Sequence, residues 1–190
     1  MYMNGKEIKV KSPQDAAKKG IGLVSEDRKK YGLNFVWDIK TNLVISNLKP
    51  VSKGFYVQKK KIADRSKVFF ESMSIKAPTL ETMVANLSGG NQQKVVIGRT
   101  LNSDPKLLIL DEPTKGIDVG AKNEIYQIIN DLAAKGVAII MISSELPELM
   151  AMSDRFIVMA EGRVAGELSK EEATTAKIME FATKTFKTVG

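Results

Sequence analysis

Two short stretches hold the residues best suited to chemistry. The first is Leu87-Ser88-Gly89-Gly90-Asn91-Gln92-Gln93-Lys94. A serine and two glycines stand directly before an amphipathic run. Ser88 can cap the helix that follows, and the glycines let backbone approach a ligand closely. The free N–H groups and dipole of a helix start suit an anion. The second stretch is Leu107-Leu108-Ile109-Leu110-Asp111-Glu112-Pro113. An aspartate at the carboxyl end of a buried parallel strand is placed to hold Mg²⁺, directly or through water. The adjacent Glu112 can act on a water molecule attacking a phosphate. Each stretch taken alone also fits a plain structural role, a capped helix in one case and a strand ending in solvated acid in the other.

Composition narrows the chemistry. The chain has neither cysteine nor histidine, which excludes disulfides and thiolate metal sites and removes the commonest general base at neutral pH. Acid–base work falls to carboxylates, Lys, Tyr or water. The net charge of +7 permits contact with nucleic acid, anionic lipid or a phosphate ligand. The lysines are scattered, as on any solvated surface, and the densest run is Lys59-Lys60-Lys61. The longest apolar run, residues 137–142, falls far short of the roughly 20 residues that span a bilayer. With no basic-then-apolar leader pattern, a soluble, cytoplasmic chain is expected, one that reaches a membrane by docking onto another protein.

The elements that must position these residues follow from pattern. Residues 1–37 read as short strands and turns, with a strand at 7–10, a helix at 14–19 capped by Ser12 with Pro13 in its first turn, a strand at 21–25 and a charged loop at 26–30. Residues 38–102 read as mainly helical. Asp38 caps a helix carrying Ile39, Leu43, Val44 and Leu48, an amphipathic helix covers 58–72, and another runs from Ser88 to about Leu101. Beyond 103 the pattern alternates. Buried strands at 107–110 and 137–142 flank a helix at 123–134 that Gly136 stops. A short helix at 145–152, a hairpin at 155–160 and 163–168, and a final helix at 171–187 follow. Alternating buried strand and helix implies a parallel α/β core.

Together and in this order, the two stretches resemble the signature sequence and Walker B motif of ATP-binding-cassette (ABC) ATPases. Thr114-Lys115-Gly116-Ile117-Asp118-Val119-Gly120-Ala121-Lys122 is similar to the D-loop region of that family. The resemblance implies that Asp111 holds Mg²⁺, that Glu112 is catalytic, and that Asp118 lies at an interface between two ATPase domains. Ser88, Gly89, Gly90 and Gln92 would face ATP bound mainly by the partner domain. Val24-Ser25-Glu26-Asp27-Arg28-Lys29, the tail Asn91-Gln92-Gln93-Lys94 and Ser143-Ser144-Glu145-Leu146-Pro147-Glu148 look like the second half of tandem importers for ribose, galactose, xylose and similar sugars. Glu26 takes the place of the usual Q-loop glutamine and Ser144 that of the switch histidine. Both departures weaken the acceptor side of this domain.

The P-loop motif G-x-x-x-x-G-K-[ST] is missing: the only Gly-Lys pair is Gly5-Lys6, and Glu7 follows it. The expected fold is therefore α/β, a truncated P-loop NTPase of the ABC type with a mainly parallel sheet and an inserted α-helical subdomain. Residues 1–190 form one partial domain, with a signature-bearing lobe at 38–102, a core at 103–170 and a C-terminal helix at 171–190. The resemblance implies a sugar-import ATPase using ATP and Mg²⁺, held at the inner face of the membrane by permease subunits and paired head-to-tail with a second ATPase domain. It implies no direct sugar contact and no nucleic acid. An importer for nucleosides or other small solutes, and an ABC ATPase acting on nucleic acid or ribosomes, are the alternatives. Loss of a central strand would expose the sheet and favour self-association, and the chain alone is expected to hydrolyse little ATP.

Overall fold

A computed structural model describes residues 1–3 and 5–185. It divides into two compact units, Met1–Ile142 and Ser143–Gly190. In the first unit a small antiparallel pair, β1 (Tyr2–Met3) and β2 (Lys6–Glu7), leads into α1 (Pro13–Lys18). Ser12 caps α1 by accepting from the Asp15 N–H, and Pro13 opens the first turn, as the sequence implies. The strand expected at 7–10 is shorter and begins one residue earlier. The charged run after β3 (Ile21–Val24) is not an open loop: Arg28–Gly32 coils into a five-residue π-type turn, capped by the Asp27 carboxylate accepting from the N–H groups of Lys29 and Lys30.

The helical region is held by buried polar links rather than by apolar packing alone. α2 (Ile39–Val44) is capped by Asp38 and ends before Leu48, earlier than its apolar spacing implies. After β4 (Ser52–Lys53) and β5 (Tyr56–Val57), α3 (Lys59–Ser72) packs on α2, as does α4 (Gly89–Leu101). Asn102, fully buried at the end of α4, donates to the carbonyls of Val44 at 3.0 Å and Asn47 at 3.1 Å. Its own carbonyl-type oxygen accepts from Arg65 Nε at 2.9 Å. One amide thus joins all three helices, and every bond is satisfied inside protein.

β6 (Leu107–Asp111), α5 (Val119–Ala134) and β7 (Ala138–Ile142) complete this unit. The sheet is parallel in the order β3-β6-β7, with Leu23 level with Ile109 and Ile140, and Asp111 level with Ile142. One face carries Val24, Leu108 and Leu110, all inaccessible to solvent. The other is open: Leu23 is 60% exposed, and Ile140 and Ile142 are each 48% exposed. β7 is therefore not the buried strand its composition implies, because the described residues leave its second face about half open. α5 starts four residues earlier than its apolar pattern indicates, since Asp118 caps it by accepting from the Ala121 N–H.

The second unit contains α6 (Leu146–Met152), the hairpin β8 (Arg155–Ala160) and β9 (Arg163–Ser169), and α7 (Thr175–Ala182). The hairpin expected around Glu161-Gly162 forms, with a register shift at Val158/Met159. Phe156, Val158, Leu168, Ala173 and Ile178 make its core, with Leu146, Leu149 and Phe181 against them. The final helix is shorter than the expected 171–187, whose last two residues lie outside the described ones. No helix among the described residues is long and apolar enough to cross a membrane.

Candidate functional site

Ser88 caps α4, accepting from the backbone N–H of Asn91 at 3.4 Å and from the Asn91 amide at 3.0 Å. The oxygen of that Asn91 side chain accepts from the Lys76 N–H at 2.8 Å, which pins the loop ahead of α4 to the helix start. Gly90 lets α4 meet α5: a Cβ built there would lie 2.4 Å from the Ala121 Cβ. Ser88, Gly90 and Asn91 line one side of an open depression of about 250 Å³, and Asp118, Gly120, Ala121 and Glu124 line the other, with Lys76 between them. Ser88, Gly90 and Asp118, named from separate motifs, thus meet in one place. Gln92 points away from it: the side chain is buried and donates to the carbonyls of Leu87 at 3.1 Å and Val84 at 3.3 Å. Its role in this geometry is to hold the turn before α4 rather than to touch a ligand.

A second set of contacts ties the β3 end to this region. Glu26 accepts from Lys115 Nζ at 2.6 Å. That bond, then the attraction of the Glu26 charge, raises the Lys115 pKa above its ordinary value, with Glu112 and Asp111 adding to it. Arg28 donates to the Lys115 carbonyl at 3.1 Å and to the Gln92 amide oxygen at 3.4 Å, and one of its nitrogens would lie 3.0 Å from a Cβ at Gly89. Glu26 and Gly89 are therefore joined through Arg28 and Lys115, two residues that motif reading did not single out. The charged run at 26–30 was the visible signal for Arg28. Lys76 and Glu124 carried none.

Glu124 bridges two ammonium groups, Lys76 Nζ and Lys94 Nζ, each at 2.7 Å, and Lys94 also donates to the Ser74 carbonyl at 2.8 Å. The hydrogen bonds from Lys76 and then Lys94 hold the Glu124 carboxyl down at about 2. This keeps a fixed negative charge in the lining of the depression, paired with Lys76, which lines it as well.

Asp111 ends β6, level with Ile142, and Glu112 follows with its N–H donating to the Ile142 carbonyl at 2.8 Å. Glu112 has φ 49°, in the left-handed region, and both residues are half-buried at the strand end. Among the described residues no three Asp, Glu, His or Cys converge as a ready-made metal cage. Two adjacent carboxylates nonetheless suit Mg²⁺, which takes one or two from protein and the rest from phosphate and water. Ser144 belongs to the second unit, in the bend before α6, and is exposed.

The three-stranded parallel sheet with helices packed against it places the chain in the α/β class. The sequence profile of the ABC transporter family matches residues 1–115, and the chain belongs to that family. It is 51% identical over 183 residues to the xylose import ATP-binding protein XylG of Moorella thermoacetica, covering 96% of this chain and 36% of that protein. It is 48% identical to the ribose import ATP-binding protein RbsA of Bacillus subtilis, covering 96% and 37%. The chain thus spans little more than a third of the length of these curated relatives. A solved ATP-binding cassette of an ABC transporter superposes with a TM-score of 0.77 at 23% identity, covering 96% of this chain and 76% of that one, which shows the fold.

Proposed function

We propose that this chain is the C-terminal half of the ATP-binding subunit of an ABC importer for a monosaccharide, of the ribose or xylose kind, and that it completes an ATP site held mainly by another cassette. The single observation that carries this reading is the depression at the start of α4, where Ser88 and Gly90 face Asp118. A helix N-terminus with a hydroxyl and a nearby lysine is suited to the outer phosphates of ATP. The names of the relatives support the sugar class. The resemblance, rather than any contact here, supports head-to-tail pairing and attachment to permease subunits at the cytoplasmic face of the membrane.

In this reading Asp111 holds Mg²⁺, Glu112 aligns the attacking water, and residues 38–102, 103–170 and 171–190 are the signature lobe, the core and the C-terminal helix. Glu26 and Ser144, in the places of a glutamine and a histidine, leave the chain's own catalytic side weak, while the Ser88 side is complete. The purified 190-residue chain should therefore hydrolyse ATP at no more than background. Robust turnover that disappears in Glu112→Gln would overturn the donor-half assignment. In the assembled transporter, Ser88→Arg should abolish transport-coupled hydrolysis.

A further inference from the structure

The hairpin of β4 and β5 takes no part in the site above. Its root is firm: Val51 is inaccessible, the Gln58 N–H donates to the Val51 carbonyl at 2.8 Å, and Ser52 Oγ donates to the Leu48 carbonyl at 2.8 Å. Ser52 pairs with Val57 and Lys53 with Tyr56. Gly54 and Phe55 are thus the two turn residues, and Gly54 supplies the positive φ of 58° that the first turn position of such hairpins favours. The tip ends in aromatics. Phe55 is completely exposed and Tyr56 is 82% exposed.

The sequence around these rings is rich in lysine, with the nearest acids at Asp38 and Asp64. Lys49, Lys53, Lys59, Lys60 and Lys61 are all exposed, and no Asp or Glu occurs at positions 39–63. Among the described residues none of these five lysines makes an ion pair. Aromatic rings flanked by lysines are the pattern of the membrane interface, where rings sit at headgroup depth and ammonium groups meet lipid phosphates. A single nucleic-acid strand also attracts rings and lysines, but it uses a groove that tracks its backbone. Phe55 is completely exposed and so lies in no such groove.

We propose that the β4–β5 hairpin is a peripheral anchor that seats Phe55 and Tyr56 among the headgroups of an anionic lipid surface. The contact is made by the chain itself and is separate from docking on a permease. The test is flotation of the full chain with phosphatidylcholine vesicles, with and without phosphatidylglycerol, at low and high salt. Flotation separates lipid-bound chain from any self-associated material, which sinks. The chain should float only with the anionic vesicles and lose binding as salt screens the lysines. Each lysine near such a surface contributes roughly a factor of five, so Lys59→Gln/Lys60→Gln/Lys61→Gln should weaken binding about a hundredfold. Phe55→Ser/Tyr56→Ser should weaken it about tenfold. These side chains are exposed, so folding is not at issue, and Phe55→Trp gives a second readout, a blue shift of emission on anionic vesicles. Equal flotation with neutral lipid, no flotation at all, indifference to the aromatic changes, or displacement by a single-stranded oligonucleotide would each overturn the proposal.

Discussion

Lys94 has 1% of its side chain accessible yet stays matched, because Glu124 and the Ser74 carbonyl receive its ammonium group. Such a group is costly to bury and costlier to leave half paired. Glu124→Gln should therefore lower stability by about 1–2 kcal/mol, below the usual cost for a buried pair because Glu124 is itself partly solvated. The pH profile gives a cleaner reading. The folded pKa of Glu124, about 2, lies below its ordinary 4.5. Its stabilisation is fully present above 4.5 and is lost as pH falls from there toward 2. Stability from denaturant titrations of the parent should fall steeply with pH through that window, and the same plot for Glu124→Gln should be flatter there. None of this was legible in sequence. Lys76 and Glu124 are 48 positions apart, and only the packing of α4 on α5 explains why they meet.

Local elements were far easier to read. The caps at Ser12, Asp38 and Ser88 act within three residues, so the starts of α1, α2 and α4 follow from neighbouring side chains alone. The same rule applies to α5, where Asp118 accepts from Ala121 three residues on, whereas the apolar pattern alone starts that helix four residues late. The π-type turn at Arg28–Gly32 has a local cap at Asp27, but a run of charged residues carries no apolar period that would mark it as coiled. The α4–α5 contact sets a strict size limit at Gly90. Replacing glycine by alanine inside a helix ordinarily gains up to about 1 kcal/mol. Here the new methyl would fall 2.4 Å from Ala121, and overpacking costs about 1–3 kcal/mol. Gly90→Ala should lower stability by roughly 1–2 kcal/mol in urea unfolding, and Ala121→Gly should restore part of the loss.

For the molecule as a whole, the parallel α/β core was readable from alternating apolar runs, but the burial of those runs was not. Composition made β7 look enclosed, whereas Leu23, Ile140 and Ile142 lie on an open face of the sheet. The isolated chain should associate with a second copy through that face, since every copy presents the same apolar surface beside open strand edges. Light scattering after size exclusion should show a mass that rises with concentration. Leu23→Lys/Ile140→Lys should return it to a monomer at little cost in stability, because these side chains already face water. A parent chain that is monomeric at all concentrations would rule this out.

The backbone at Glu112 links geometry to chemistry in a way that separates two kinds of loss. A side chain with a Cβ is held at φ 49° there, a conformation that costs roughly 1–3 kcal/mol and that glycine adopts freely. An amide at this position keeps the Cβ and so the same backbone cost. Glycine lets the chain relax, so Glu112→Gly should raise stability by about 1 kcal/mol in urea unfolding, whereas Glu112→Gln should not.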